Sequence, residues 1–215
     1  MFAFWRRHSR YLLLATPPLL AGCIETDNNF GKVWSGAGQQ AALAVSLPAN
    51  APSLTNIYYE APASSGGSKT GEEHLGIDII AALGTPVIAP ASGRVIKTFT
   101  EPFYGNNIVI DHGDNEDGVR IHTQYKHLQT QLVSVGDTVV RGQQIGTLGR
   151  TGVLSGGLPH LHFEVQLKGR FQRMEPVDPN VYWVNGVGAV TCFDEATDWP
   201  DTPFQTTYPV PCGDI

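Results

Sequence analysis

The chain has 215 residues and is 41% apolar, 16% charged and 9% aromatic, an ordinary globular composition that excludes wholesale disorder. Its 24 glycines and 15 prolines together make about 18% of the chain, against a usual ~12%, which favours a turn-rich β fold over a helical one. A formal charge of −6 argues against a basic nucleic-acid footprint, and no nucleic-acid partner is expected.

Arg6, Arg7 and Arg10 precede an apolar run over residues 11–22. Twelve residues are too few to cross a hydrocarbon core, which needs about 20. A basic start and a short apolar stretch read instead as a signal peptide over residues 1–22. The run ends in Leu20-Ala21-Gly22-Cys23, which resembles a bacterial lipobox. The resemblance implies that Cys23 is acylated and becomes the first mature residue. By resemblance to enteric lipoproteins, Ile24 in place of Asp favours the outer membrane, so the expected location is the periplasmic side of the envelope, held by lipid. Losing the three arginines takes Lys+Arg from 14 to 11 against 20 acids, formally −9. Such a body gains nothing from anionic lipid, so attachment to the membrane would rest on the acyl chains.

Residues 23–51 show no sustained period and read as a tether. A strand is expected over 54–59, and 63–71 (ASSGGSKTG) is a loop of small residues. Short strands cut by turns then follow at 76–80, 86–89, 93–99, 107–111, 119–125, 143–148 and 161–166. This pattern predicts an all-β, antiparallel sandwich or barrel spanning residues 52–183. Residues 114–118 (DNEDG) form an acidic hairpin loop. As a calcium loop it would begin on Gly113, which has no carboxylate, so calcium is rejected. Met174 to Pro179 carries two prolines that are expected to end regular pairing. Residues 184–215 read as an irregular extension. With Cys23 set aside, Cys192 and Cys212 form an even pair in an exported chain and are expected to be a disulfide. Closing that loop is worth roughly 3 kcal/mol in the chain-entropy model.

Chemistry concentrates in the histidines. On a strand, His160, His162 and Glu164 share one face, while Leu161, Phe163 and Val165 share the other. His74 and Asp78 are four residues apart, about 13 Å if fully extended, and Gly76 between them allows a bend. His127 follows Tyr125 and Lys126 near a strand end. Two histidines and one aspartate suit a catalytic zinc that keeps an open position. No H-E-x-x-H occurs, so the helix-borne glutamate base of the zincins is excluded. A base must come from elsewhere, and histidine suits neutral pH. Periodicity does not choose between His160 and His162 as ligand. Glu164 reads as a ligand's partner or a surface acid, with the surface reading preferred. His112 reads as structural, His122 has no assigned role, and Tyr125 is expected to pack in the core.

Taken in order, His74-Leu-Gly-Ile-Asp78, Gly84-Thr-Pro-Val, Tyr104-Gly-Asn, Ile110-Asp-His-Gly113, Tyr125-Lys-His-Leu128, Val135-Gly-Asp, Gly142-Gln, Ile145-Gly and Pro159-His-Leu-His-Phe-Glu164 resemble the lysostaphin/LytM-type zinc endopeptidases of bacterial cell walls. The resemblance covers about half the chain. It implies an antiparallel β fold with a metal-bearing groove, Zn2+ held by His74, Asp78 and His162, and His127 and His160 as catalytic groups beside it. It also implies peptidoglycan as substrate, with the D-alanyl–diaminopimelate cross-link favoured by the envelope context. Three features depart from the family pattern: the Ser/Gly loop before His74, Leu158 and Lys126. They are expected to border the groove and to bear on substrate preference. Two other readings stand beside it: a metal-free regulator that activates a wall amidase through a protein partner, and a carrier or sugar-binding β module, the carrier form suggested by the resemblance of residues 135–146 to lipoyl/biotinyl carrier domains. The carrier reading has no lysine in a matching tip motif and leaves the histidines unexplained.

Overall fold

A computed structural model describes residues 30–33, 43–59 and 73–213. The signal peptide, Cys23 and its acylation, and the loop at 63–71 lie outside those residues. Among the described residues there is no α-helix. Regular structure consists of eleven strands and three short 3-10 turns. The strands are β1 (Leu54–Asn56), β2 (Ile77–Ile79), β3 (Pro86–Ile88), β4 (Gly93–Glu101), β5 (Gly105–Asp114), β6 (Arg120–Leu128), β7 (Thr130–Gln131), β8 (Thr138–Val139), β9 (Gln144–Thr147), β10 (Leu161–Lys168) and β11 (Met174–Val177).

Eight strands form one antiparallel sheet in the order β1-β2-β10-β6-β5-β4-β8, with β11 beside the later half of β10. A small sheet, β3-β9-β7, completes the fold. One hydrophobic cluster joins the two: Ile77, Ile79, Ile110, Tyr125, Leu161 and Phe163 come from the large sheet, and Val87 and Ile145 from the small one. The alternation in β10 and β6 does this directly. Leu161, Phe163 and Val165, with Ile121, Thr123 and Tyr125, are buried on the core side. Their neighbours His162, Glu164, Gln166, Gln124 and Lys126 line a groove on the other face.

Each of the eight expected strands is present, with shifted ends. β11 departs from expectation, since Met174–Val177 pairs with β10 despite Pro176. It is an edge strand, where a missing N–H costs little. The packing also extends beyond residues 52–183. Val45 and Leu47 pack against the core, Ala51 is fully buried, and Ser46 pairs with Ala189. On the other side, Val190, Tyr208 and Val210 are buried in the same cluster. Tyr208 donates its hydroxyl to the Pro52 carbonyl at 2.7 Å, and Arg141 donates to the Pro90, Pro200 and Gln205 carbonyls. Cys192 and Cys212 are bonded, with Cα atoms 5.9 Å apart. The last 30 described residues are thus irregular in backbone yet part of the core.

His112 is structural. Its Nδ1–H donates to the Ser92 carbonyl at 2.8 Å, and its Nε2 accepts from the Thr123 hydroxyl at 2.7 Å, which in turn accepts from Tyr125 at 2.9 Å. Burial pushes its pKa down to about 4, outweighing the Ser92 bond. The unfolded chain therefore takes up this proton near pH 6.5 while the folded chain resists it. Stability from His112 is complete above pH 6.5 and is lost as pH falls to about 4, by up to roughly 3 kcal/mol. His112→Gln is expected to flatten the fall in stability between pH 6.5 and 4, read by urea midpoints across that range.

Candidate metal centre

Three local features assemble the site. The first is β2 against β10, where Asp78 stands opposite His162 in register. Gly76 is needed for close approach more than for bending. A Cβ there would fall 2.5 Å from the Phe163 carbonyl and 2.8 Å from His162 Nε2. His74, just before Gly76, is fixed by a two-way backbone bridge to Tyr59. The second feature is a β-bulge in β6. Ile108 pairs with Tyr125 and Asn106 with Leu128, so Lys126 and His127 together face Asn107. His127 has φ 63°, and this left-handed residue breaks the alternation that would send its ring into the core. The third is the turn after β9. Gly149 passes where a Cβ would lie 2.3 Å from the His127 carbonyl, and it bridges to His160.

These features bring His74, Asp78 and His162 into one cluster whose ligand atoms lie within 4.8 Å of one another. His74 Nε2 is 3.1 Å from His162 Nδ1 and 3.1 Å from Asp78 Oδ2, and His162 Nδ1 is 2.9 Å from Asp78 Oδ1. His160 stands further out, with Nε2 3.9 Å from Asp78 Oδ1. The distances thus separate two histidines that share a strand face.

The outer nitrogen of each ring is already committed. His74 Nδ1 donates to the Ile57 carbonyl at 3.0 Å, His127 Nδ1 to Thr151 at 2.7 Å and His160 Nδ1 to Leu158 at 3.0 Å. His162 Nε2 donates to Glu164 Oε1 at 3.0 Å. A neutral imidazole has one N–H, so each inner nitrogen carries a lone pair. His74 and His162 therefore turn lone pairs toward each other and toward a carboxylate at about 3 Å. Such an arrangement repels unless a proton or a cation lies within it. Two imidazole nitrogens and a carboxylate at this spacing, open to a groove, fit zinc with a free fourth position.

Electrostatics agree with that fit. A proton can fill that role as a cation does: burial alone would raise the Asp78 carboxyl, but hydrogen bonds from protonated His162 and His74 outweigh it and hold the pKa far below the usual range. Burial would lower His162, yet Asp78 and Glu164 raise it. Burial lowers His127 to about 4, with nearby His160 and His162 adding to the effect and the Thr151 bond opposing it. His127 is therefore neutral at pH 7. The groove is a cavity of about 560 Å³, and Tyr104 stands near His127 with ring centroids 5.9 Å apart.

Glu164 is not a surface acid. It is 3% exposed, ion-paired with Lys126 and bonded to His162 and Gln166. Burial would raise it, but His162 and Lys126 hold it at about 2. Lys126 in turn lies 3.9 Å from the centre of the Tyr104 ring. Lys126 and Glu164 are diagonal neighbours across β6 and β10, a relation that exists only once the register is known. A carboxylate behind a ligand histidine fixes its tautomer and raises its basicity. Glu164→Gln is expected to weaken zinc binding by about 10- to 100-fold, measured by competition with a chromogenic chelator.

One antiparallel β groove thus holds a His/Asp/His cluster with two further imidazoles, His127 and His160, beside it. Residues 72–179 match the profile of Peptidase family M23, and the chain belongs to that family. It is 42% identical over 97 residues to the peptidoglycan DD-endopeptidase ShyA of Vibrio cholerae, covering 45% of this chain and 21% of ShyA. It is 39% identical over 109 residues to the murein hydrolase activator NlpD of Escherichia coli, covering 50% of this chain and 25% of NlpD. Among solved structures, the catalytic domain of the prophage-encoded M23 protein EnpA from Enterococcus faecalis superposes with a TM-score of 0.50 at 28% identity, covering 66% of this chain and 98% of that domain. The chain spans about a fifth of the length of ShyA.

Proposed function

We propose that this protein is a zinc-dependent endopeptidase acting on peptide cross-links or stem peptides of bacterial peptidoglycan. The observation that carries the reading is the approach of His74 Nε2 to His162 Nδ1 at 3.1 Å, with the Asp78 carboxylate against both. His74, Asp78 and His162 would hold zinc, which supplies Lewis acidity, polarising a carbonyl and making water a nucleophile near neutral pH. The chain's own residues do the rest. His127 and His160, with ring centres 4.7 Å apart, turn free Nε2 lone pairs to the groove. One of them takes a proton from the attacking water. The resulting imidazolium then presents Nε2–H to the oxyanion and passes the proton to the leaving amine. The Thr151 and Leu158 carbonyls hold both rings in the tautomer that this transfer needs.

The favoured bond is the D-alanyl–diaminopimelate cross-link. Support comes from the name of ShyA, a DD-endopeptidase, and from the expected lipid anchor at Cys23 on the periplasmic side. A tether of that kind raises local concentration at the wall. The test is a defined, cross-linked muropeptide dimer incubated with the zinc-loaded chain, with products read by mass spectrometry. Two monomers split at that bond support the reading, and an intact dimer contradicts it. A second reading, an activator of a wall amidase, is favoured by the likeness to NlpD. It predicts stimulation of an added amidase with no cleavage by the chain alone.

A further inference from the structure

The hairpin joining β10 to β11 carries four features that its position in the fold does not require. Residues 168–174 read Lys-Gly-Arg-Phe-Gln-Arg-Met, which places three of the chain's 14 basic residues within six positions and no acid among them. Phe171 at the tip is 91% exposed, and no core contact accounts for an aromatic ring there. Phe171 and its neighbour Gln172 both hold φ 63°, a backbone region that bulky side chains rarely occupy and that costs of order 1–3 kcal/mol per residue. Lys168 and Arg173 are exposed and form no ion pair among the described residues. Glu175, the next acid along the chain, lies with its carboxyl against the Gly169 backbone.

The hairpin continues the groove. β10 carries His162, Glu164 and Gln166 on the groove face and ends at Lys168. Six residues of strand place Lys168, at the base of the tip, about 20 Å from the metal centre. That distance is several peptide residues, so one polymer can occupy both.

We infer that residues 168–173 form a second contact for the wall polymer, with Phe171 stacking on sugar rings and the cations meeting stem-peptide carboxylates. The inference rests on the reading of the groove as wall-acting and names what holds the polymer beyond the scissile bond. Charge selects this occupant, because the tip is basic in a chain of net charge −6. Stem peptides supply carboxylates and glycan strands supply apolar ring faces, the two chemistries the tip offers partners to. A lipid surface is disfavoured, since one aromatic ring inserts weakly and the acidic body opposes it.

The test uses the full chain with Phe171→Ala and, separately, Lys168→Gln/Arg170→Gln/Arg173→Gln. Co-sedimentation with purified sacculi at low and high salt is measured beside hydrolysis of a short soluble cross-linked peptide. Each variant is expected to bind sacculi severalfold more weakly, about tenfold for the triple change. Wild-type binding should fall with salt, and kcat/KM on the short peptide should stay within about twofold of wild type. Unchanged sacculus binding in both variants overturns the inference. So does tip-dependent co-sedimentation with anionic phospholipid vesicles while sacculus binding is unchanged. If wild type leaves the short peptide uncut yet needs the tip to bind sacculi, the endopeptidase reading fails and the second contact stands.

Discussion

Asp78→Ala is expected to give a folded chain that no longer holds zinc. Asp78 sits in β2 between Ile77 and Ile79, both fully buried, while its own side chain faces the groove. Removing the carboxylate therefore spares the core. Its effect on the site is large, because Asp78 supplies the only anion among the three clustered ligand residues. Without it, two imidazole lone pairs remain about 3 Å apart with nothing to balance a cation charge. The loss in zinc affinity should exceed the roughly 100-fold seen when outer partners of ligands are removed. Elemental analysis after dialysis should find less than a tenth of an equivalent of zinc, and turnover should fall in parallel. Stoichiometric zinc in the variant would show that the metal lies elsewhere.

His127→Ala and His160→Ala are expected to behave in the opposite sense. Neither ring belongs to the clustered ligand set, so zinc content should remain near one equivalent. Each ring presents a free Nε2 to the groove, and losing the one that takes the proton should lower kcat by about 10²- to 10⁴-fold, the usual worth of a placed acid or base. The backbone at His127 has φ 63°, so the replacement must tolerate the bulge. Alanine keeps the same backbone demand, and any loss of fold would appear in thermal melts. Stoichiometric zinc with full turnover in both variants would remove the two histidines from the reaction.

Much of this was legible in the residues, and the failures have physical causes. Strand alternation placed His162 and Glu164 on the face opposite Leu161 and Phe163, and the structure has the first two lining the groove and the other two in the core. Alternation is blind to distance, however, and His160 and His162 could not be ranked until the register set Asp78 opposite His162. His127 was suggested by its neighbours in the motif, but the bulge that turns its ring into the groove has no sequence signature. Glu164 was misread for the same reason. Its partner Lys126 is 38 positions away, and only pairing between β6 and β10 joins them. The extension from 184 onward shows no period, because its buried Val190, Tyr208 and Val210 sit on irregular backbone.

The measurement closest to the central claim joins metal content to bond cleavage in one sample. The full chain, oxidised and loaded with one equivalent of zinc, is incubated with purified diderm sacculi, with and without a chelator, and released muropeptides are identified by mass spectrometry. The account predicts loss of cross-linked dimers that stops on chelation and returns with added zinc. Cross-linked dimers that persist beside a folded chain holding one equivalent of zinc would contradict it.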